Sequence, residues 1–377
     1  MDFELSEDQQ LLEDALNRWL ARHYGFDKRQ AVARSARGFS EENWRALAEL
    51  GLLGLQVPSE HSGLGATAVE TYIVMRALGR ALVLEPYVST AVIGAAILGR
   101  AGSAAQQAQH LLALAAGERR VALAALEAQG RFDLGDVNTT ARARGDGFIL
   151  DGSKAVVLNG DSADVLLVSA RTAAGRTAAT AITLFLVDAA APGVSVRGFP
   201  TFDGGRAAEV RLEGVAVGAG ARIGAAGEGL ELIEWGVDRG IAALCAEAVG
   251  VMERALELTL EHLRTRKQFG QPIGRFQALQ HRVAEMATAI EQSRSLALRA
   301  AAAVDAADRN ERRRALSGAK FMAGRCGRFI GQQAVQLHGG MGMTDEHAIG
   351  HYFKRLTAID LAWGNAEHHL GLYGELL

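Results

Sequence analysis

The sequence predicts a mostly α-helical protein with a β domain in its middle, and three changes of texture carry that reading. Apolar residues recur at helical spacing through the first 119 residues, short β-rich runs divided by Gly, Asp and Asn fill 120–226, and long helical segments occupy 227–377. We therefore expect an N-terminal helical domain over 1–119, an antiparallel β domain over 120–226 and a C-terminal long-helix bundle over 227–377. A chain of 377 residues is too long for one compact core, which agrees with that division.

The first helix starts at Ser6-Glu7-Asp8-Gln9, a capping-box pattern, and carries Leu11, Leu12, Ala15, Leu16, Trp19 and Leu20 on one face. Ser40 with Glu41 and Glu42 opens another helix, which Gly51 ends. The stretches Thr67–Leu84, Ser89–Arg100 and Ser103–Ala116 read the same way. Strands are expected at Val121–Leu126, Phe148–Leu150, Ala155–Leu158, Val165–Ala170, Ile182–Val187, Val194–Val196 and Val210–Val217, with turns at Gly145-Asp146-Gly147, Asp151-Gly152 and Pro192-Gly193. No helix-length segment separates them, so an antiparallel sheet or small barrel is expected rather than a doubly wound fold. The loop Thr172–Thr180 is expected to be mobile. Helices return over Gly227–Arg264, Arg275–Ala307, Glu311–Leu337, Asp345–Ile359 and Ala366–Tyr373. The longest exceed the usual globular range, which favours a bundle whose outer faces pack on another subunit.

Composition removes several functions. Forty basic and 43 acidic residues give a formal charge of −3, so no global field draws the chain to nucleic acid or to an anionic membrane. Cys245 and Cys326 lack metal or redox spacing, and the opening Met1-Asp2-Phe3-Glu4 lacks a basic n-region or an apolar h-region. The expected setting is cytoplasmic. Gly218-Ala219-Gly220 has Ile223 where a dinucleotide fingerprint needs its third glycine, and Gly147–Gly152 followed by Ser153-Lys154 reverses the P-loop order and reads as a hairpin. His347 and His351 are four apart, yet Ala348 occupies the place of a zincin glutamate and no third ligand is evident, so no metal site is expected.

One junction carries chemistry. Arg266-Lys267-Gln268-Phe269-Gly270-Gln271-Pro272-Ile273 joins two long helices, and Gly270 and Pro272 are the residue types that end one helix and start the next. Its cations also complement a negative helix C-terminus. Downstream, Gln336-Leu337-His338-Gly339-Gly340-Met341-Gly342 offers glycines that admit main-chain N–H groups close to an anion. The first string, with Phe276-Gln277 behind it, and the second string at this distance together resemble the signature of the acyl-CoA dehydrogenase family. The likeness of layout extends over essentially the whole chain and is strongest in the C-terminal third.

That resemblance implies FAD as cofactor, an acyl-CoA substrate and electron-transferring flavoprotein as redox partner. It assigns Arg266 to the FAD pyrophosphate, Phe269 to an apolar wall, and Gln277, Gln336, Gly339 and Gly340 to the adenosine and pyrophosphate half, for the neighbouring subunit's flavin. A guanidinium fork suits a pyrophosphate. The flavin-ring half departs from the pattern. Leu126-Glu127-Ala128 stands for the family's Thr-Glu-Pro, and Gly130-Arg131-Phe132-Asp133 for its Gly-Ser-Asp step. In the Lys-x-Trp-Ile-Thr/Ser-Asn string Lys154 and Asn159 match, while Val156 and Leu158 replace the aromatic and the hydroxyl residue.

Family members remove a proton from the substrate α-carbon with a glutamate. At its common position this chain has Trp363, in Ala362-Trp363-Gly364-Asn365-Ala366-Glu367, and an indole cannot accept that proton. The position used by other relatives falls on Gly240, with Asp238, Glu234 and Glu247 nearby. Asp238 is the candidate for a displaced base, and partnership with Arg239 is its alternative role. The pattern most resembles the small subunit of heteromeric, pimeloyl-CoA-type members, which would complete the flavin site of a large partner subunit. A homo-oligomeric flavoenzyme with a displaced base and a non-redox acyl-CoA-binding subunit are the alternatives.

Overall fold

The structure, a computed structural model, describes residues 5–173 and 181–377. The expected loop Thr172–Thr180 therefore lies, from 174 to 180, outside the described residues. The helices are α1 (Glu7–His23), α2 (Phe26–Ala33), α3 (Glu41–Glu49), α4 (Ala68–Ala81), α5 (Ala95–Ala101), α6 (Ala104–Ala115), α7 (Gly229–Thr265), α8 (Gln277–Ala303), α9 (Arg309–His338), α10 (Ala348–Leu361) and α11 (Ala366–Gly374). The strands are β1 (Val121–Ala124), β2 (Thr140–Arg144), β3 (Gly147–Leu158), β4 (Val165–Arg171), β5 (Ile182–Asp188), β6 (Val194–Pro200), β7 (Arg206–Val217), β8 (Arg222–Ile223), β9 (Lys267–Gln268) and β10 (Gln271–Pro272). The expected order, helical then β then long-helix, is what the chain adopts.

The chain separates into two compact units. One comprises residues 1–31, 68–83 and 241–377. Its α1 begins with both hydrogen bonds of the capping box at Ser6 and Gln9. Most of α7 lies in this unit and buries Cys245, Ala246, Val249 and Met252. Small residues allow close approach: a Cβ on Gly250 would lie 1.9 Å from the Arg76 carbonyl oxygen of α4, so only glycine fits there. Glu253 on α7 accepts from Arg76, Arg80 and Arg294, which ties α4 and α8 to it.

The other unit comprises 32–67 and 84–240. Its sheet runs β6-β7-β3-β2-β4-β5-β8, with β1 beside β4. Apolar side chains such as Leu150, Leu166, Val168, Phe185, Val187, Val210 and Val215 form its core. Most pairings are antiparallel, as expected, but β1 runs parallel to β4 from Val121↔Val165 to Ala124↔Val168, and Thr140 of β2 pairs in parallel with Arg171. The sheet is therefore mixed. The long connection from β1 to β4 passes through β2 and β3, and strand direction over such a span leaves no local mark.

A second correction concerns Asp151-Gly152. The expected hairpin there is instead the middle of one continuous strand, β3, and the turn is at Gly145-Asp146 between β2 and β3. Gly152 marks a register shift against β7 between Leu150 and Gly152. Glycine is required at this point because a Cβ would lie 2.5 Å from Thr139 Oγ1. In the helical stretch expected at Ser89–Arg100, residues Val88–Gly94 form a π-helix before α5 begins.

Candidate functional site

Helix α7 stops at Thr265, and the chain then turns through a small hairpin rather than a bare helix junction. The Arg266 N–H donates to the His262 carbonyl at 2.9 Å, and the Ile273 N–H donates to the Arg266 carbonyl at 2.9 Å. Between them β9 and β10 pair Lys267 with Pro272 and Gln268 with Gln271. The turn residues Phe269 and Gly270 both have left-handed φ, 51° and 77°. That is the two-residue turn whose twist suits a hairpin, with phenylalanine where asparagine or aspartate is usual. Phe269 is 90 % exposed and meets Phe276 edge-on at 6.0 Å. Gln277, exposed, opens α8 just beyond. The Arg266 guanidinium is exposed and has no ion-pair or hydrogen-bond partner among the described residues.

Helix α9 ends at His338, and Gly339 leaves it with φ 63° and ψ −139°, a conformation essentially reserved for glycine. A Cβ built on Gly339 or Gly340 meets no heavy atom within 4 Å, whereas one on Gly342 would lie 2.8 Å from the Val335 carbonyl oxygen. Gly342 is glycine for packing. Gly339 and Gly340, both exposed, face open space that a side chain would fill. Gln336, exposed, is on the last turn of α9.

Three imidazoles join these ends, and no spacing in the sequence signals their meeting. The His262 ring stacks on His338, with centroids 4.5 Å apart and planes 27° apart, and the His347 ring centroid lies 4.8 Å from that of His338, tilted by 54°. His262 is one turn before Arg266 and His338 directly precedes Gly339, so the stack brings the ends of α7 and α9 together. His338 is in plain view inside its glycine string, but nothing local connects it to residue 262. His347 caps α10 and His351 contacts Arg29, Gln30 and the Asp345 carbonyl. Among the described residues no group of three His, Cys, Asp or Glu could hold a metal.

Lys154 and Asn159, the two residues matching the flavin-ring string, both serve the framework of the sheet unit. Lys154 Nζ, fully buried, donates to Glu127 Oε1 at 2.7 Å and to Ser169 Oγ at 2.8 Å. Glu127 also accepts from the N–H groups of Asn138 and Thr139. Burial raises the Glu127 carboxyl, but the Lys154 ammonium and hydrogen bonds from Lys154, Thr139 and Gln129 outweigh it and hold the group at about 2. Burial dominates for Lys154, held at about 8 despite its partner. Asn159, at φ 55°, accepts from Ser89 Oγ at 2.8 Å. Val156 is half exposed, at φ 51°.

Trp363 stands at a tightly held corner between α10 and α11. Its φ is 51° and that of Gly364 is 108°. Buried Lys320 donates to the Asp360 carbonyl at 2.8 Å and to the Gly364 carbonyl at 2.6 Å, and His369 Nε2 lies 3.0 Å from the Trp363 carbonyl. Burial pushes Lys320 down to about 8 and His369 down to about 3. These contacts fix the corner's main chain, and the side chain it presents is an indole. Of the acids near Gly240, Glu247 is buried and held bidentately by Arg355 at 2.6 and 2.7 Å. Asp238 is half-buried, and its neighbour Arg239 lies over the Trp235 ring at 3.3 Å and donates to the Trp235 carbonyl.

Comparison with known proteins gives three matching family models. Residues 6–118 match "Acyl-CoA dehydrogenase, N-terminal domain", 122–215 the middle domain and 227–377 the C-terminal domain. Acyl-CoA dehydrogenase FadE27 of Mycobacterium tuberculosis is 32 % identical over 90 % of this chain and 88 % of its own. A chain in the crystal structure of the ChsE4-ChsE5 complex from Mycobacterium tuberculosis superposes with a TM-score of 0.90 at 28 % identity, covering 100 % of this chain and 98 % of that one. A chain of the Tcur3481-Tcur3483 steroid ACAD gives 0.88 at 31 % identity, covering 98 % and 97 %.

Proposed function

From the premise that the chain belongs to the acyl-CoA dehydrogenase family of FAD-dependent oxidoreductases, we propose that it is an accessory subunit whose Arg266–Gln277 and Gln336–Gly340 segments complete the flavin site of a partner subunit. The observation that carries this reading is the contrast between two places. At the ends of α7 and α9 an exposed, unpaired guanidinium, an exposed phenyl ring and two glycines facing open space fit the pyrophosphate and adenosine half of FAD. At the corner held by Lys320 and His369, the residue presented is Trp363, which cannot take a proton.

FAD, when bound, supplies the two-electron acceptor for dehydrogenation of the acyl thioester. The chain's own residues act by binding and orienting. Arg266 supplies the charge-assisted hydrogen bonds to the pyrophosphate, Gly339 and Gly340 admit it close to the main chain, Gln277 and Gln336 supply polar contacts, and Phe269 excludes water beside it. The base and the acyl pocket belong to the partner, a large acyl-CoA dehydrogenase subunit, with electron-transferring flavoprotein as the redox partner. The ChsE4-ChsE5 and Tcur3481-Tcur3483 structures, each named for two components, support a heteromeric arrangement. In the homo-oligomeric alternative Asp238 is the displaced base. The domain division 1–119, 120–226 and 227–377 belongs to the same proposal.

We also place the chain in the cytoplasm, a reading its two free, buried thiols support. No helix among the described residues is long and apolar enough to cross a membrane. The test is Arg266→Ala in the native assembly. FAD retention should fall by roughly tenfold or more, the worth of one charge-assisted hydrogen-bonded contact. Unchanged retention overturns the pyrophosphate role.

A further inference from the structure

We propose that the imidazole stack of His262 and His338, bordered by His347, takes up one proton when an anionic diphosphate binds at Arg266, Gly339 and Gly340, so that binding at this end of the bundle is coupled to pH. The inference rests on the flavin reading and adds to it a titratable pair at the ends of the same two helices, next to Arg266 and Gly339.

The hydrogen positions are set by the partners. His338 Nδ1 lies 2.8 Å from the Ala334 carbonyl, which only accepts, so Nδ1 carries its hydrogen. Its Nε2 is buried and has no hydrogen-bond partner among the described residues. The Leu258 carbonyl faces the ring and favours its charged form. A proton arriving at Nε2 converts an unpartnered buried acceptor into a donor. His347 is committed elsewhere: its Nδ1 accepts from the Ile349 N–H at 3.3 Å and caps α10. Half-buried His262 stacks on His338 and can share the added proton.

Without the anion, the surroundings oppose that charge. Burial is the largest cause for both rings. His338 is held at about 4, with His262 and His347 adding to the depression, and His262 is lowered further by His347 and Arg266. From α8, Arg282 donates to Gln333 near the end of α9. Asp345, next along the chain, is occupied by Lys354 at 3.6 Å and His351 at 3.3 Å. The groups acting on the pair are thus neutral or positive, and a bound diphosphate is the one strong negative charge introduced. An opposite charge within about 4–6 Å raises such a group by roughly 1–3 pKa units, enough to return a depressed imidazole to the neutral range.

The experiment is isothermal titration calorimetry of the native assembly, freed of FAD, with ADP-ribose, whose pyrophosphate diester keeps a constant charge near neutrality. It is run at pH 6.5 in buffers of different ionisation enthalpy and repeated from pH 8 to pH 6. Uptake of a substantial fraction of one proton is expected, with affinity rising by up to about tenfold per pH unit where uptake is complete. His262→Phe, half-exposed and easily accommodated, keeps a stacked ring without a proton site and should cut the uptake. His262→Phe with His338→Phe should abolish it. Binding with an enthalpy independent of buffer overturns the inference and leaves the flavin reading intact, as does uptake that survives the double substitution. Absence of any binding to the wild-type assembly overturns the flavin reading and this inference with it.

Discussion

Gly339 and Gly340 are neighbours, yet they make different demands on a side chain. Gly339 holds φ 63° and ψ −139°, so alanine there should cost about 1–3 kcal/mol of backbone strain. Gly340 has no such constraint and faces open space, so Gly340→Ala should leave the melting temperature nearly unchanged while weakening FAD retention. A fall in Tm at Gly340 as large as at Gly339 would show that the space is structural. Glu127 gives a second residue-scale prediction. Its folded pKa of about 2 lies below the unfolded 4.5, so the stability it contributes is complete above pH 4.5 and lost as pH falls towards 2. That window is worth on the order of 3 kcal/mol. Acid titration of Glu127→Gln, followed by circular dichroism, should show a shallower fall over the same range. Lys154 and Asn159 are legible in the sequence as a matching pair of letters. That they hold Glu127 and Ser89 is not, because both partners are far away in sequence.

Elements whose signals are local are readable from the chain. The capping boxes at Ser6 with Gln9 and at Ser103 with Gln106 form as their spacing requires. Elements whose cause lies elsewhere are not. The glycine at 152 reads as a turn until Thr139 is placed against it, and the parallel pairing of β1 with β4 needs a partner more than 40 residues away. Helix α2 escapes sequence reasoning because its apolar residues show no helical spacing, and among its residues Arg29 is the buried one. The β9–β10 hairpin is hidden by its own turn, since a bulky aromatic at φ 51° is a poor local choice. Such a conflict between local preference and structure points to function. Phe269→Asn should therefore hold or raise the melting temperature, by up to about 1 kcal/mol in stability, while lowering FAD retention in the assembly. A clear loss of stability would instead make Phe269, with Phe276, a structural pair.

At the scale of the whole molecule, the proposal divides one flavin site between two subunits, with the pyrophosphate and adenosine contacts on this chain and the proton-abstracting group on the partner. The family layout is legible throughout because its helical and β textures differ so strongly, and the proposed adenosine contacts can be read at all because they sit on two short contiguous strings. Acyl specificity leaves no such mark, since pocket depth depends on helix faces rather than on motifs. The most direct measurement is the visible absorption of the chain purified alone, giving FAD per chain, followed by anaerobic addition of acyl-CoA. An accessory subunit should carry little flavin, or flavin that stays oxidised until the partner subunit is added. One flavin per chain that bleaches with acyl-CoA in the absence of any partner would contradict that role.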